Sequence, residues 1–168
     1  MLPYVADSFP DLVPSIGQPT PSFTVNQTSL LPILITNAGN EASTGTTTNV
    51  FTIPANFTGA TSPFTDNGWS CDAAIGMSVT CTKSGSIAPS GTDGFNIPLK
   101  PLPAAGGGSA NFTTSITNTG DSNTGNNSAT ITLQVNVATQ TQSLWLKADA
   151  GTNCTTTGCA ISAWNDQS

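Results

Sequence analysis

Histidine and arginine are both absent from this 168-residue chain, which removes most familiar active-site chemistry at once. A Ser–His–Asp or Cys–His arrangement needs an imidazole base, and His-metal centres need it as a ligand. A glycosidase-type pair would need two carboxylates about 5–10 Å apart across a cleft. The candidates are Asp7, Asp11, Glu41, Asp66, Asp72, Asp93, Asp121, Asp149 and Asp166. Nearly all fall in expected loops, where solvation is the ordinary explanation. The chain therefore reads as non-enzymatic.

Four cysteines form two close pairs, Cys71 with Cys81 and Cys154 with Cys159. A zinc site would need all four thiolates, and neither spacing is a tight zinc hook. Two local disulfides, and with them an oxidising compartment, are the preferred reading; four buried free thiols are the alternative. The three lysines, Lys83, Lys100 and Lys147, lie near turns or strand ends and read as solubilising charges rather than partners in a Lys–Asn isopeptide bond.

The stretch Asp121-Ser122-Asn123-Thr124-Gly125-Asn126-Asn127 sets oxygen-bearing side chains on alternate positions around a glycine. Hard cations take such ligands, so Asp121, Asn123 and Asn127 are candidate calcium ligands. The same residues make Asx-turns without metal. No cofactor other than calcium is expected. Trp69, two residues before Cys71, reads as a core residue against a disulfide, with a sugar platform as the rival.

These groups would be carried on strands. Ala129, Ile131, Leu133, Val135 and Val137 alternate with polar residues, as on a half-buried strand. Phe112 and Ile116 do the same, as do Phe95, Ile97 and Leu99, then Met77, Val79 and Cys81, and Leu31, Ile33 and Ile35. Val50, Phe51 and Ile53 mark another, and Leu12, Val13 and Ile16 a short opening strand beside Pro14. Pro98 suggests an edge or bulge. Gly-, Pro- and Asn-rich stretches separate these runs. The pattern predicts an all-β, immunoglobulin-like Greek-key β-sandwich of about seven strands, with a C-terminal extension.

Charged residues are only 7% of the chain and the net charge is −6, so Thr, Ser and Asn must supply the polar surface. An acidic surface without arginine offers nucleic acid or anionic lipid no counterion release. No apolar run approaches the roughly 18 residues of a membrane span. Neither nucleic-acid binding nor membrane insertion is expected.

Residues from about Pro10 to Val137 resemble a bacterial repeat domain of unknown function, found in tandem in very large secreted and cell-surface proteins. Four stretches carry the resemblance in order: Pro10-Asp11-Leu12; Ile35-Thr36-Asn37-Ala38-Gly39; Gly68-Trp69-Ser70-Cys71 with Val79-Thr80-Cys81-Thr82; and Asn118 to Val137 with its Asn126-Asn127-Ser128-Ala129-Thr130. Pro32 departs from the family's Val-rich second strand. The resemblance implies an extracellular spacer or stalk module. The tail, Leu144–Gly151 and Ser162–Ser168, is similar to the opening of a concanavalin-like or laminin-G-like domain.

The expected organisation is an N-terminal extension (1–9), the sandwich (10–137), a polar linker (138–142) and a segment (143–168) too short to bury its own core. Leu144, Trp145 and Leu146 should dock on this domain or on another chain. The function expected first is structural: a module spacing other domains on the bacterial surface, with other domains or copies of the same protein as partners. Two alternatives stand beside it. One is a filament subunit, a homo-oligomer assembled by strand exchange through the C-terminal segment. The other is glycan-binding or calcium-dependent adhesion through loops near 54–68 or 121–127.

Overall fold

The computed structural model describes residues 9–137. They form ten strands: β1 (Leu12–Ile16), β2 (Ser29–Asn37), β3 (Thr46–Thr52), β4 (Phe57–Gly59), β5 (Phe64–Asp66), β6 (Trp69–Cys71), β7 (Ser78–Ser84), β8 (Thr92–Pro101), β9 (Ser109–Thr117) and β10 (Ser128–Gln134). Two antiparallel sheets result, one ordered β1-β2-β8-β4 and the other β10-β9-β3-β7-β6-β5. The protein is an all-β, immunoglobulin-like sandwich. The surplus over seven strands consists of β4, β5 and β6, each three residues long. Apolar alternation cannot announce a strand that short. The expected linker 138–142 and the segment 143–168 with Leu144, Trp145 and Leu146 lie outside the described residues, as does most of the extension 1–9. The second disulfide expected, between Cys154 and Cys159, falls outside the described residues too.

The alternating sets meet between the sheets. Leu31, Ile33 and Ile35 of β2 and Phe95, Ile97 and Leu99 of β8 pack opposite Phe51, Val79, Cys81, Phe112 and Ile116, all buried. Phe23, in the β1–β2 connection, is fully buried although no alternation marked it. Its ring centroid lies 5.0 Å from Phe57 and 5.3 Å from Phe112. Phe57 and Phe112 are 5.1 Å apart, edge to face, and Phe51 stacks on Phe112 at 6.3 Å. Val50 instead faces outward beside buried Phe51, because a pleated strand sends neighbours to opposite faces. One polar pair enters the core: Asn49 Nδ2 donates to Thr114 Oγ1 at 2.7 Å.

Three prolines sit inside strands, and the register accommodates each. In an antiparallel ladder a residue's N–H and C=O point to the same side. The Pro32 carbonyl accepts from Gly17 N at 2.9 Å, so its missing N–H faces the end of β1 and costs the β2–β8 ladder nothing. Leu30 exchanges both backbone bonds with Thr20, so its partner across the sheet, Pro98, directs its own bare nitrogen away from β2. Pro14, opposite Ile35, points its bare nitrogen to the open side of edge strand β1 by the same parity. β2 thus pairs along its length with β1 and β8 despite Pro32.

Cys71 and Cys81 are direct partners in the β6–β7 register and are joined by a disulfide. The turn between them contains Gly76 at φ +63°, a value glycine adopts without steric penalty. Peptide mapping without reductant should recover the Cys71–Cys81 link, and the double variant Cys71→Ala with Cys81→Ala should lose about 2–3 kcal/mol in urea unfolding. Phe112→Ala, which empties the centre of the aromatic cluster, should cost about 3–5 kcal/mol in the same assay.

Candidate functional site

Two clusters bring together the side chains singled out by type. The first lies around the β5–β6 turn. Asn67 and Gly68 take left-handed φ values of 48° and 77°, closing a tight hairpin that brings Trp69 and Cys71 onto the inner face. Trp69 is 1% exposed, with its ring centroid 4.8 Å from Phe95, so it is core and cannot serve as a sugar platform. Its indole Nε1 donates to Asp93 Oδ1 at 3.3 Å.

Asp93 gathers further donors. Lys83 Nζ approaches its Oδ2 at 2.6 Å, and Gly94 N and Asn67 Nδ2 donate to Oδ1 at 2.7 and 3.1 Å. Lys83 Nζ also donates to the Asn67 carbonyl at 2.8 Å. Burial alone would raise the Asp93 carboxyl, but the bonds from Lys83, Gly94 and Trp69, with the charge of Lys83, outweigh it and hold the group below the usual carboxylate range. An amide between Lys83 and Asp93 would need a neutral amine and a protonated acid. The pair is instead an ion pair, and it locks the hairpin to β8.

The neighbouring turn continues that lock. Where β4 stops pairing with β8, Asp66 Oδ2 accepts from Asn96 N at 2.7 Å and Asn96 Nδ2 at 3.0 Å. Asn67 Nδ2 donates to the Gly94 carbonyl at 2.8 Å. Side chains here stand in for a missing strand, which is one way to blunt an open sheet edge. Beside them, Thr58–Ser62, Phe64 and Pro98–Lys100 line a shallow groove of about 400 Å³. This is where the 54–68 loops expected to face a glycan lie.

The second cluster closes one pole of the sandwich. Asn37, at the end of β2, is fully buried and uses its whole amide. Its Oδ1 accepts from Asp11 N (3.1 Å) and Gly39 N (3.0 Å), and its Nδ2 donates to the carbonyls of Glu41 (2.6 Å) and Ile87 (2.8 Å). A Cβ on Gly39 would fall 2.2 Å from the Phe9 carbonyl oxygen and 2.6 Å from Asp11 N, so only glycine admits the incoming chain. The 121–127 loop lies on the same segment. Ser122 donates to the Pro10 carbonyl from N (3.1 Å) and Oγ (3.0 Å), and Asn126 Nδ2 donates to Asp11 Oδ1 at 2.8 Å. Of the candidate calcium ligands, Asp121 and Asn127 are partly buried and Asn123 is exposed. Asn123 N donates to Asp121 Oδ1 at 3.2 Å, the bond of an Asx-turn. Among the described residues no three His, Cys, Asp or Glu side chains gather as a metal-binding group. Sequence reading missed Asp11, Asn37 and Asn126 as members of this pole, since the bonds that join Asp11 to Asn37 and to Asn126 span 26 and 115 positions.

No protein-family model matches the chain, and no curated protein matches it. Its fold is similar to that of a CARDB domain from Pyrococcus furiosus, solved in complex with di-metal ions: TM-score 0.50, 18% identity, covering 79% of this chain and 99% of that one. It is also similar to a cohesin module from a Clostridium perfringens family 33 glycoside hydrolase: TM-score 0.50, 12% identity, covering 78% and 99%. At these identities the likeness establishes the sandwich fold. No helix among the described residues is long and apolar enough to cross a membrane.

The sign of the Asp93 shift sets a pH expectation. A carboxyl held below its unfolded value contributes stability that is present above about pH 4 and lost as pH falls through the folded pKa. Urea midpoints measured from pH 6 down to pH 2 should therefore fall less steeply below about pH 4 in Asp93→Asn than in the parent. Lys83→Met should cost on the order of 1 kcal/mol at neutral pH.

Proposed function

We propose that this chain is a non-catalytic extracellular structural module, spacing or displaying other domains of a large secreted or cell-surface bacterial protein. The observation that carries the reading is polar threading. Residue 9 meets Asn40 at the pole that also holds Gly39 and Asn118, and β9 and β10 link that pole to the opposite one. There Val135 N bonds the Gly108 carbonyl, and Asn136 N bonds that of Phe23. β9, nine residues from Ser109 to Thr117, spans the distance between the poles, roughly 25–30 Å at about 3.3 Å per residue. A module whose chain comes in at one pole and leaves at the other lengthens a tandem array with every copy.

Other observations agree. The carboxylates of Asp11, Asp66 and Asp93 are occupied by hydrogen bonds that hold loops in place. The Cys71–Cys81 disulfide suits an oxidising exterior. The likeness to the CARDB and cohesin folds supports the sandwich architecture on which this reading rests, and on this reading other domains or copies of the same protein are the partners. Small-angle scattering on fusions of one, two and three copies of residues 9–137 tests the proposal. The maximum dimension should grow by at least about 25 Å per copy. Growth that levels off after the first copy, as modules fold side by side, overturns it.

A further inference from the structure

Three side-chain oxygens in the 121–127 loop are withdrawn from solvent and accept no hydrogen bond from the protein: Asp121 Oδ2, Asn126 Oδ1 and Asn127 Oδ1. Leaving a buried acceptor unsatisfied is costly, and three within seven residues is a concentration that turn formation does not explain. The turn needs only Asp121 Oδ1, which Asn123 N already occupies. All three atoms are acceptors, one of them carries carboxylate charge, and Asp11 adds a second carboxylate to the cluster through its bond from Asn126 Nδ2. Lys83, the cation that could compensate elsewhere, is committed to Asp93, and Lys100 pairs with Thr58 at the far end of β8.

From these atoms we infer that the loop binds a hard divalent cation of the calcium type, held by Asp121, Asn126 and Asn127 and balanced by Asp11. Oxygen-only, mixed carboxylate and amide donors on an irregular loop are what calcium tolerates and what softer metals do not favour. The donor set differs from alternation in the sequence: Asn126 replaces the exposed Asn123. The consequence is mechanical. Ser122 and Asn126 of this loop hold Pro10 and Asp11, so a bound cation ties the incoming strand to the last hairpin of the sandwich. The inference goes beyond the spacer reading and stands or falls separately from it.

Calorimetric titration of the full chain with calcium chloride, after treatment with chelator, gives the direct measurement, and thermal unfolding in chelator and in millimolar calcium gives the linked one. Calcium should release or absorb heat saturably and raise the melting temperature by several degrees. Asp121→Ala and Asn127→Ala should each abolish both effects, while Asn123→Ala and Asp72→Asn keep them. If Asp121→Ala fails to fold, Asn127→Ala, which removes no charge, carries the test. The inference is overturned if calcium gives neither heat nor a melting shift. It is equally overturned if both effects survive in Asp121→Ala or Asn127→Ala, which would put the ion elsewhere on the chain.

Discussion

Four phenylalanine rings make the contact on which both sheets depend. Phe57 comes from the edge of the smaller sheet, Phe51 and Phe112 from the middle of the larger, and Phe23 from the loop that leads into β2. Each aromatic ring buries a large apolar area and adds edge-to-face or stacked contact beyond it. Aliphatic layers from β2, β8, β3, β7 and β9 extend that centre toward both poles. Burial of this kind is non-directional and does not choose a register. The register comes from the pleat, which gives every strand one apolar face, and from three prolines that tolerate only a ladder asking no hydrogen bond of their nitrogens.

A chain with three lysines and no arginine cannot close its edges and poles with ion pairs. Amides and carboxylates do that work here. Asn37 ties β2 to the strand that precedes it in sequence, Asp66 and Asn67 finish the free edge of β8, and Asn118 holds the carbonyl of Thr44 and the hydroxyl of Thr47. Neutral amides lose less on burial than charges do, so they can be fully enclosed where a lysine could not. The single described ion pair, Lys83–Asp93, sits beside the buried Trp69 and the disulfide, where one hairpin must be fastened to the opposite sheet. The same economy makes the 121–127 loop stand out, since three of the five buried side-chain oxygens without a donor among the described residues lie there, the others being Ser29 Oγ and Asn49 Oδ1.

Seven of the ten strands were legible in the sequence, five as alternation and β1 and β3 as short apolar groupings, because each is at least five residues long. The hidden three carry Phe57, Phe64 and Trp69, and three residues repeat the two-residue period only once. Cys71 and Cys81 were legible as a pair from their spacing around Gly76, and the β6–β7 register places them opposite one another. Spacing alone supports the pairing of Cys154 with Cys159, because both cysteines fall outside the described residues. The candidate site was legible only in part. Asp121 and Asn127 belong to the pole where buried oxygens gather, but Asn123 points to solvent, because the 3-10 turn at Thr124–Asn126 rotates the chain and alternate positions no longer share a face.

What the sequence determined by itself is whatever depends on residue type and local period. The absence of histidine and arginine bounds the chemistry, the two-residue period makes the fold all-β, and the low charge assigns the surface to hydroxyls and amides. What only the tertiary structure decided is which distant residues meet. Asn37 reaches Ile87, Asp66 reaches Asn96, and Asn126 reaches Asp11 across 115 positions. No local pattern encodes those partners, since each bond joins residues that are distant in sequence and within reach only in the packed sandwich. The threading from one pole to the other has the same origin. It follows from the order in which strands join the two sheets, and that order is a property of the packed core rather than of any segment within it.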